Sequence, residues 1–167
     1  MSLLLVPVSG RHVRDLRSLV AEEPIARVPL PALDPRAGLL AFVEGAQRLR
    51  ARGAGETFAV CEDDRFLGIA ALARVEEAPA RAELGYWIGR AHRGHGYATA
   101  AARQLLAHGF ERMRLDLVFA RCLGSNHASL RVMEKLGFHF VAVEPSDDAS
   151  EPVCRYELGR EEWQAHR

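Results

Sequence analysis

Two glycines and three polar residues have the types and spacing in this chain that suit chemistry. Gly94 and Gly96, one residue apart, precede a segment of small residues, which predicts a tight turn entering a helix. A helix N-terminus presents N–H groups and partial positive charge, so this turn favours a phosphate or pyrophosphate. Glu83 lies in the preceding apolar run, and Asn126 and Ser129 open a later helical segment. The pattern predicts a phosphate-bearing cofactor held close to titratable and hydroxyl side chains.

The segment that positions these residues, 83–140, predicts strand, glycine turn, helix, strand, helix and strand. Before it, Leu3 to Val8 predicts a strand and Arg11 to Ala21 a helix, and Asp34 with Pro35 predicts the N-cap and first residue of a second helix. The remaining predicted strands are 57–61 and 66–75 as a hairpin, 82–89, 138–143 and 153–158, before a short polar helix. A mixed sheet in one α/β or α+β domain covering 1–167 is therefore expected.

Composition narrows the class of protein. The formal net charge is zero, so no electrostatic signal for nucleic acid is present. No apolar run is long enough to span a bilayer, so no membrane partner is expected. Cys61, Cys122 and Cys154 lack metal-ligand spacing and leave one cysteine over in any disulfide scheme. These features favour a cytoplasmic protein without a metal.

The glycine turn has three interpretations. A nucleotide P-loop needs a lysine followed by Ser or Thr after the second glycine, and neither is present. Gly94 and Gly96 match the first two glycines of the dinucleotide pattern G-x-G-x-x-G/A, but Thr99 stands where the pattern requires a final Gly or Ala. Asp116, the acid at the expected distance, begins its strand, whereas a ribose-binding acid lies at the strand's end. The third interpretation is acetyl-CoA.

Two motifs carry the acetyl-CoA interpretation. Ile88 followed by Arg93-x-x-Gly96-x-Ala98 resembles the pyrophosphate motif of the GNAT superfamily of N-acetyltransferases, and Asn126-x-x-Ser129 with the run 132–138 resembles its second cofactor motif. The combination is most similar to the branch that includes the ribosomal-protein N-terminal acetyltransferases. The resemblance covers residues 56–158 well and the first 55 residues only by the order of elements.

The resemblance implies a GNAT fold, with a mixed, mostly antiparallel sheet of about seven strands splayed at its centre and about four flanking helices. It implies a bulge in the strand before the glycine turn, and pantetheine hydrogen-bonded to that strand like an added strand. It also implies a possible homodimer. The residues expected to bind the cofactor are Trp87, Ile88, Gly89, Arg93, Gly94, His95, Gly96, Tyr97, Ala98, Thr99, Asn126 and Ser129.

Two residues are the candidates for catalysis. On a two-residue period, Glu83 faces the same side as Trp87, opposite to Leu84, Tyr86 and Ile88, so Glu83 is the candidate general base. The alternative is an ion pair with Arg81 or with a neighbouring strand. By resemblance Ser129 is the candidate acid that protonates the departing thiolate, and its alternative role is to satisfy helix backbone. Cys122 is interpreted as a structural thiol, because direct transfer needs no acyl-enzyme.

The function expected from the resemblance is direct transfer of an acetyl group from acetyl-CoA to a primary amine, at a protein N-terminus or on a small cationic molecule. The acidic loop 144–152 would attract a cationic acceptor if it borders the acceptor site, and otherwise it is a solvated loop. A non-catalytic acyl-CoA-binding sensor is the alternative from a different class.

Overall fold

A computed structural model describes residues 3–21, 38–77, 80–145 and 151–165. The Asp34–Pro35 helix start predicted from sequence lies outside these ranges. The strands are β1 (Leu3–Pro7), β2 (Glu56–Glu62), β3 (Arg65–Glu77), β4 (Ala80–Ile88), β5 (Leu117–Leu123), β6 (His139–Glu144) and β7 (Val153–Gly159). The helices are α1 (Val13–Ala21), α2 (Gly38–Ala51), α3 (Tyr97–Glu111), α4 (His127–Lys135) and α5 (Arg160–Ala165).

All seven described strands form one sheet in the order β1-β2-β3-β4-β5-β7-β6. Every neighbouring pair is antiparallel except β4 and β5, which are parallel. The predicted mixed and mostly antiparallel sheet is therefore confirmed. The described residues contain five α-helices where about four were expected, because the short polar segment after β7 forms α5.

The two faces of the sheet have separate cores. Leu84 and Ile88 of β4 belong to the core beneath α3, α4 and α5, whereas Trp87 of β4 packs with α1 and α2. Glu83 shares the parity of Trp87, so the predicted alternation along β4 is confirmed. The strand consequently carries apolar side chains to both helical layers and a carboxylate to only one of them.

The expected bulge lies in β3 and not in β4. Ala73 pairs with Glu83 and Glu76 pairs with Arg81, so two residues of β3 oppose Ala82 alone. The extra residue bends β3 at the level where β4 meets β5. β4 therefore keeps a regular register with β3 from Leu84 to Ile88, beside the opening between β4 and β5.

Gly68 marks a close approach between β3 and β4. A Cβ at this position would lie 2.1 Å from the Trp87 carbonyl oxygen and 2.9 Å from the Ile88 Cα. Both obstacles are backbone atoms, so neither can move aside by a rotamer change. Only a glycine lets β4 run this close to β3.

We expect Gly68→Ala to lower the free energy of unfolding by about 1–3 kcal/mol, because the new methyl group must push β4 away from β3. Chemical denaturation measures the change. Gly10→Ala is the matched control, because a Cβ there has no neighbour within 4 Å. Equal stabilities for the two variants would contradict the close approach.

Candidate active site

A cleft opens where the two parallel strands separate. β4 and β5 are paired only at Arg81–Leu117, Ala82–Val118 and Glu83–Phe119, although both strands continue beyond. A small pocket that is open to solvent lies in this opening. Its lining residues are Leu84, Gly85, Tyr86, Ala120, Arg121, Cys122, Ser129 and Met133. The expected central splay is thus present, and Glu83 belongs to the last pair before it.

Of the three residues expected to bind the cofactor at the end of β4, only Ile88 turns its main chain toward this opening. Its carbonyl accepts a hydrogen bond from Arg93 Nε at 2.9 Å, on the side away from β3. The Trp87 carbonyl instead points at Gly68, and the Gly89 N–H donates to the Leu67 carbonyl. Trp87 is 5% exposed and packs beneath the helical layer of α1 and α2.

Trp87 and Gly89 therefore do not line the cleft. Because alternate strand residues direct their main-chain groups to opposite edges, Leu84, Tyr86 and Ile88 carry the groups that face the opening. Gly89 has a packing role, since a Cβ there would meet the Leu19 side chain of α1 at 2.8 Å.

The glycine turn has the backbone conformation that its sequence predicts. Gly94 and Gly96 have φ of +81° and +83°, in the left-handed region that favours glycine. Gly96 is the N-cap of α3, and its carbonyl accepts the first helical hydrogen bond from the Ala100 N–H at 3.0 Å. No side chain caps this helix. The N–H groups of the first turn, including those of Ala98 and Thr99, are thus offered to an anion instead of to a capping oxygen.

Two basic residues shape the turn. Arg93 is exposed, and its bond to the Ile88 carbonyl fastens the turn to the end of β4. His95 is exposed and stacks on Tyr97 with ring centroids 5.7 Å apart. The positive charge of Arg93 and the partial charge of the α3 N-terminus both favour a phosphate at this place.

Tyr97, expected to bind the cofactor, also anchors the turn to the β2–β3 hairpin. Its hydroxyl donates to Glu62 Oε2 at 2.7 Å, and Arg65 pairs with the same oxygen. The hydrogen bond from Tyr97 makes the largest contribution to lowering the pKa of Glu62, and burial opposes it. The first residue of α3 is thereby tied to a charged side chain 35 positions away.

The second motif begins α4 differently. The Asn126 side chain caps the helix, because its Oδ1 accepts from the Ser129 N–H at 3.1 Å. This hydrogen bond uses the side-chain oxygen of Asn126 to cap α4 and fixes the orientation of the first turn of the helix. The Ser129 side chain lines the cleft. Asn126 therefore positions Ser129 whether or not its own amide contacts a ligand.

Tyr86 is a cleft residue that the sequence reasoning assigned only to the apolar face of β4. Its hydroxyl forms no well-directed hydrogen bond within the described residues, although the Ser129 hydroxyl is close enough to affect it. Burial raises the pKa of Tyr86 to about 12, and the Ser129 hydroxyl partly offsets this. Two hydroxyl groups thus share one wall of the cleft. The Gly-Tyr-Trp segment predicted a strand with a side chain in the core, but it did not predict that the Tyr86 and Ser129 hydroxyl groups lie close together.

Glu83 is engaged by an arginine that was not identified from sequence. Arg121 Nε lies 2.9 Å from Glu83 Oε1, and Arg121 Nη2 lies 3.2 Å from Glu83 Oε2, so the contact is bidentate. The side chain of Glu83 is 7% exposed and that of Arg121 is 30% exposed. The hydrogen bonds to Glu83 raise the pKa of Arg121. The ion-pair alternative is therefore observed, with β5 as the neighbouring strand.

This pair continues into a charge network across β5, β6 and β7. Glu144 Oε2 lies 3.7 Å from Arg121 Nη1, and Glu144 Oε1 lies 3.3 Å from Arg155 Nη1. Arg155 also pairs with Glu157 at 2.7 Å and stacks over the Phe119 ring at 4.6 Å. Two guanidinium groups thus alternate with three carboxylates. The network connects the apex of the cleft to the start of the acidic loop.

The acidic loop is only partly described. Glu144 belongs to the charge network, and Glu151 accepts hydrogen bonds from the N–H and hydroxyl of Ser125. Asp147 and Asp148 lie outside the described residues. The two described carboxylates are therefore used for internal contacts, and they link the loop to the segment before α4.

The described residues contain no group of three His, Cys, Asp or Glu side chains placed to hold a metal ion. None of their helices combines the length and apolarity that crossing a bilayer requires.

The sheet splays between two parallel strands, and an uncapped, glycine-rich helix start follows the end of β4. The acetyltransferase (GNAT) domain family model matches residues 2–139, and the chain belongs to this family. The ribosomal-protein-serine acetyltransferase of Escherichia coli is 29% identical over 96 residues, which are 58% of this chain and 54% of that protein. A probable N-acetyltransferase of Bacillus subtilis, YjcK, is 36% identical over 46% of this chain and 43% of its own length. The chain thus spans about half the length of the curated relatives it matches.

Solved structures share the fold over nearly the whole chain. RimJ of Mycobacterium smegmatis in complex with CoA-disulfide superposes with a TM-score of 0.85 at 22% identity, covering 96% of this chain and 83% of that one. RimL, a ribosomal alpha-N-protein acetyltransferase, in complex with coenzyme A gives 0.83 at 20% identity, with 95% and 94% covered. A spermidine N-acetyltransferase SpeG chimera from Vibrio cholerae and hSSAT gives 0.80 at 17% identity, with 98% and 99% covered. At these identities the likeness establishes the fold.

Proposed function

We propose that this protein transfers the acetyl group of acetyl-CoA directly to a primary amine within a ternary complex. One observation carries the proposal: a buried carboxylate, Glu83, stands at the point where β4 and β5 part, so a thioester held in the opening would lie beside it. The relatives named as acetyltransferases support this interpretation.

Acetyl-CoA would occupy the opening in an extended form. The uncapped N-terminus of α3, with the turn at Gly94 and Gly96, would hold the pyrophosphate. The pantetheine arm would follow the edge of β4, where Leu84, Tyr86 and Ile88 direct main-chain groups into the cleft. A main-chain N–H in this part of β4, such as that of Tyr86, would polarise the thioester carbonyl, as an oxyanion-hole donor does.

The proposed acid and base lie on opposite faces of the sheet. Glu83 shares the face of Trp87, beneath α1 and α2, whereas Ser129 and Tyr86 belong to the side of α4. An amine arriving on the Glu83 side would attack the carbonyl, and the thiolate would leave toward the two hydroxyl groups. Ser129 would protonate the sulfur, and Tyr86 is a second proton source at the same wall.

Arg121 determines how Glu83 would meet the acceptor. Because Arg121 holds both carboxylate oxygens, an incoming ammonium must compete with the guanidinium for Glu83. Glu144 lies 3.7 Å from Arg121 and offers it a second carboxylate during that exchange. We therefore assign Arg121 the role of a positioning residue, which is exchanged between two acidic partners as the amine binds.

The pKa of the amine decides how much deprotonation the site must supply. At pH 7 an α-amine with a pKa near 7.8 costs about 1.1 kcal/mol to deprotonate, whereas a lysine near 10.4 costs about 4.6 kcal/mol. Glu83, a single carboxylate that is also paired with Arg121, is better suited to deprotonating an α-amine than a lysine, because the α-amine needs less free energy. A protein or peptide N-terminus therefore suits the site better than a lysine side chain.

Release of free thiol from acetyl-CoA tests the proposal. The panel contains basic N-terminal peptides, aminoglycosides, polyamines and free amino acids, and a reaction without amine measures hydrolysis. We expect turnover on one amine class, with the highest activity on α-amines. Absence of turnover on every class would refute the transferase proposal in favour of the second candidate.

That second candidate is a non-catalytic acyl-CoA sensor. The bidentate contact between Glu83 and Arg121 favours it, because this contact would hold the two strands together without any chemistry. Calorimetry separates the two functions: a sensor binds acetyl-CoA tightly while releasing no thiol from it, whatever amine is supplied.

A further inference from the structure

Two cysteines face each other across β5 and β7. Cys122 and Cys154 are register partners in this antiparallel pair, and both thiols are free. The Cα atoms of directly opposed antiparallel residues lie about 4.5 or 5.5 Å apart, and disulfides span Cα separations of about 4.4–6.8 Å. The backbone therefore already places these two residues at a disulfide distance.

Their side chains point to the same side of the sheet. Cys122 lines the cleft with Ser129, and a cross-strand partner projects to the same face. Electrostatic influences support this arrangement, because Cys154 acts on the pKa of Cys122, and both act on that of Tyr156. The two thiols are thus neighbours on one surface. Both residues are partly exposed, so a small reagent can reach the pair.

β5 can adjust at this position. Beyond Phe119 it has left β4, so the arm from Ala120 to Leu123 is paired only with β7. A strand held at one edge can shift by the roughly 1 Å that brings two Cβ atoms from about 5 Å to the mean disulfide separation of about 3.8 Å. The splay therefore removes the constraint that makes cross-strand disulfides strained in a closed sheet.

We propose that Cys122 and Cys154 form a reversible disulfide at the wall of the cleft, by exchange with a low-molecular-weight disulfide. One cysteine thiolate attacks the reagent and forms a mixed disulfide, which releases one reagent thiol. The neighbouring thiolate then displaces the second reagent thiol and closes the bond between β5 and β7. Two protein thiols are oxidised, one reagent disulfide is reduced, and the two thiol protons pass to the two released thiols.

The local chemistry sets the rate of this exchange. Burial, with a smaller contribution from Cys154, raises the pKa of Cys122 to about 11. Its thiolate is therefore scarce at neutral pH, and the exchange is slow. The site responds to a sustained oxidising environment and stays reduced during a brief one. It does not depend on the identity of the acetyl acceptor or on acetyl transfer itself.

Thiol counting with peptide mapping tests the proposal on the folded, full-length protein. Reduced protein is incubated with oxidised glutathione, quenched in acid, denatured and alkylated. We expect the number of alkylated cysteines to fall from three to one, with Cys61 the thiol that remains and a tryptic cross-link joining Cys122 to Cys154. Cys122→Ser and Cys154→Ser should each abolish this cross-link.

Cys61→Ser is the matched control and should leave the cross-link unchanged, because Cys61 lies on β2 opposite Leu4 and Phe66. Coenzyme A disulfide in place of oxidised glutathione should give the same internal bond and two released thiols. The proposal is overturned if Cys122 retains a glutathione or coenzyme A adduct while Cys154 stays reduced. It is also overturned if the cross-link joins two protein molecules or forms only in denaturant.

Discussion

Glu83→Gln should lower turnover by about 10²–10⁴-fold, because the amide cannot accept the proton that the ammonium must lose for the neutral amine to attack. The amide keeps the shape of the carboxylate and one acceptor oxygen for Arg121, so KM for acetyl-CoA should change little. The loss should be larger for acceptors of high pKa, which need more deprotonation, than for α-amines. Steady-state kinetics over a range of pH, with acceptors of two different pKa values, measures both effects.

Glu157→Gln is the control for this substitution. Glu157 also receives a hydrogen bond from an arginine of the charge network, Arg155 at 2.9 Å, but it lies on β7, separated from Glu83 by Phe119 of β5. It should retain most activity. An unchanged pH–rate profile in Glu83→Gln would refute the base assignment and leave Glu83 with its ion pair to Arg121.

Gly96→Trp should abolish detectable binding of coenzyme A, because an indole at the N-cap of α3 would cover the N–H groups proposed to hold the pyrophosphate. A side chain at φ of +83° also strains the backbone by about 1–2 kcal/mol, so loss of binding alone would be ambiguous. Titration calorimetry measures affinity, and denaturant unfolding of the same samples measures the strain.

Gly53→Trp separates the two effects. Gly53 has φ of +68°, and a Cβ there, as at Gly96, meets nothing within 4 Å. It follows α2, in the connection to β2, away from the glycine turn. The two variants should lose similar stability, but only Gly96→Trp should lose coenzyme A. Wild-type affinity in Gly96→Trp would refute the placement of the phosphate site.

Local sequence signals were sufficient for most of the fold. The glycine turn was predictable because glycine, which lacks a Cβ, adopts positive φ readily. Gly94 and Gly96 both have positive φ in the structure. The face of Glu83 was predictable because side chains alternate along a strand. The Asn126 cap follows from the preference of its short side chain for the position before a helix.

The features that escaped prediction depend on contacts between distant parts of the chain. Arg121 meets Glu83 across 38 positions, and a period of two along each strand cannot show which strands will be neighbours. The roles of Trp87 and Gly89 depend on which edge of β4 faces β3, and the bulge of β3 depends on register. The sequence predicted Tyr86 as a core residue because of its apolar ring. Its hydroxyl belongs to the candidate site because α4 brings the Ser129 hydroxyl beside it.

The separation of β4 from β5 divides the sheet into two antiparallel halves, one made of β1, β2, β3 and β4 and the other of β5, β7 and β6. The backbones of the two halves meet through three residue pairs. Such a seam is a natural boundary between cooperative folding units. In amide hydrogen exchange, the cleft-facing N–H groups of Tyr86 and Ile88 should be among the fastest in the sheet, since no strand pairs with them there. A pantetheine lying along β4 would slow them and couple the unfolding of the two halves, so the cofactor would act as the missing strand of the native sheet.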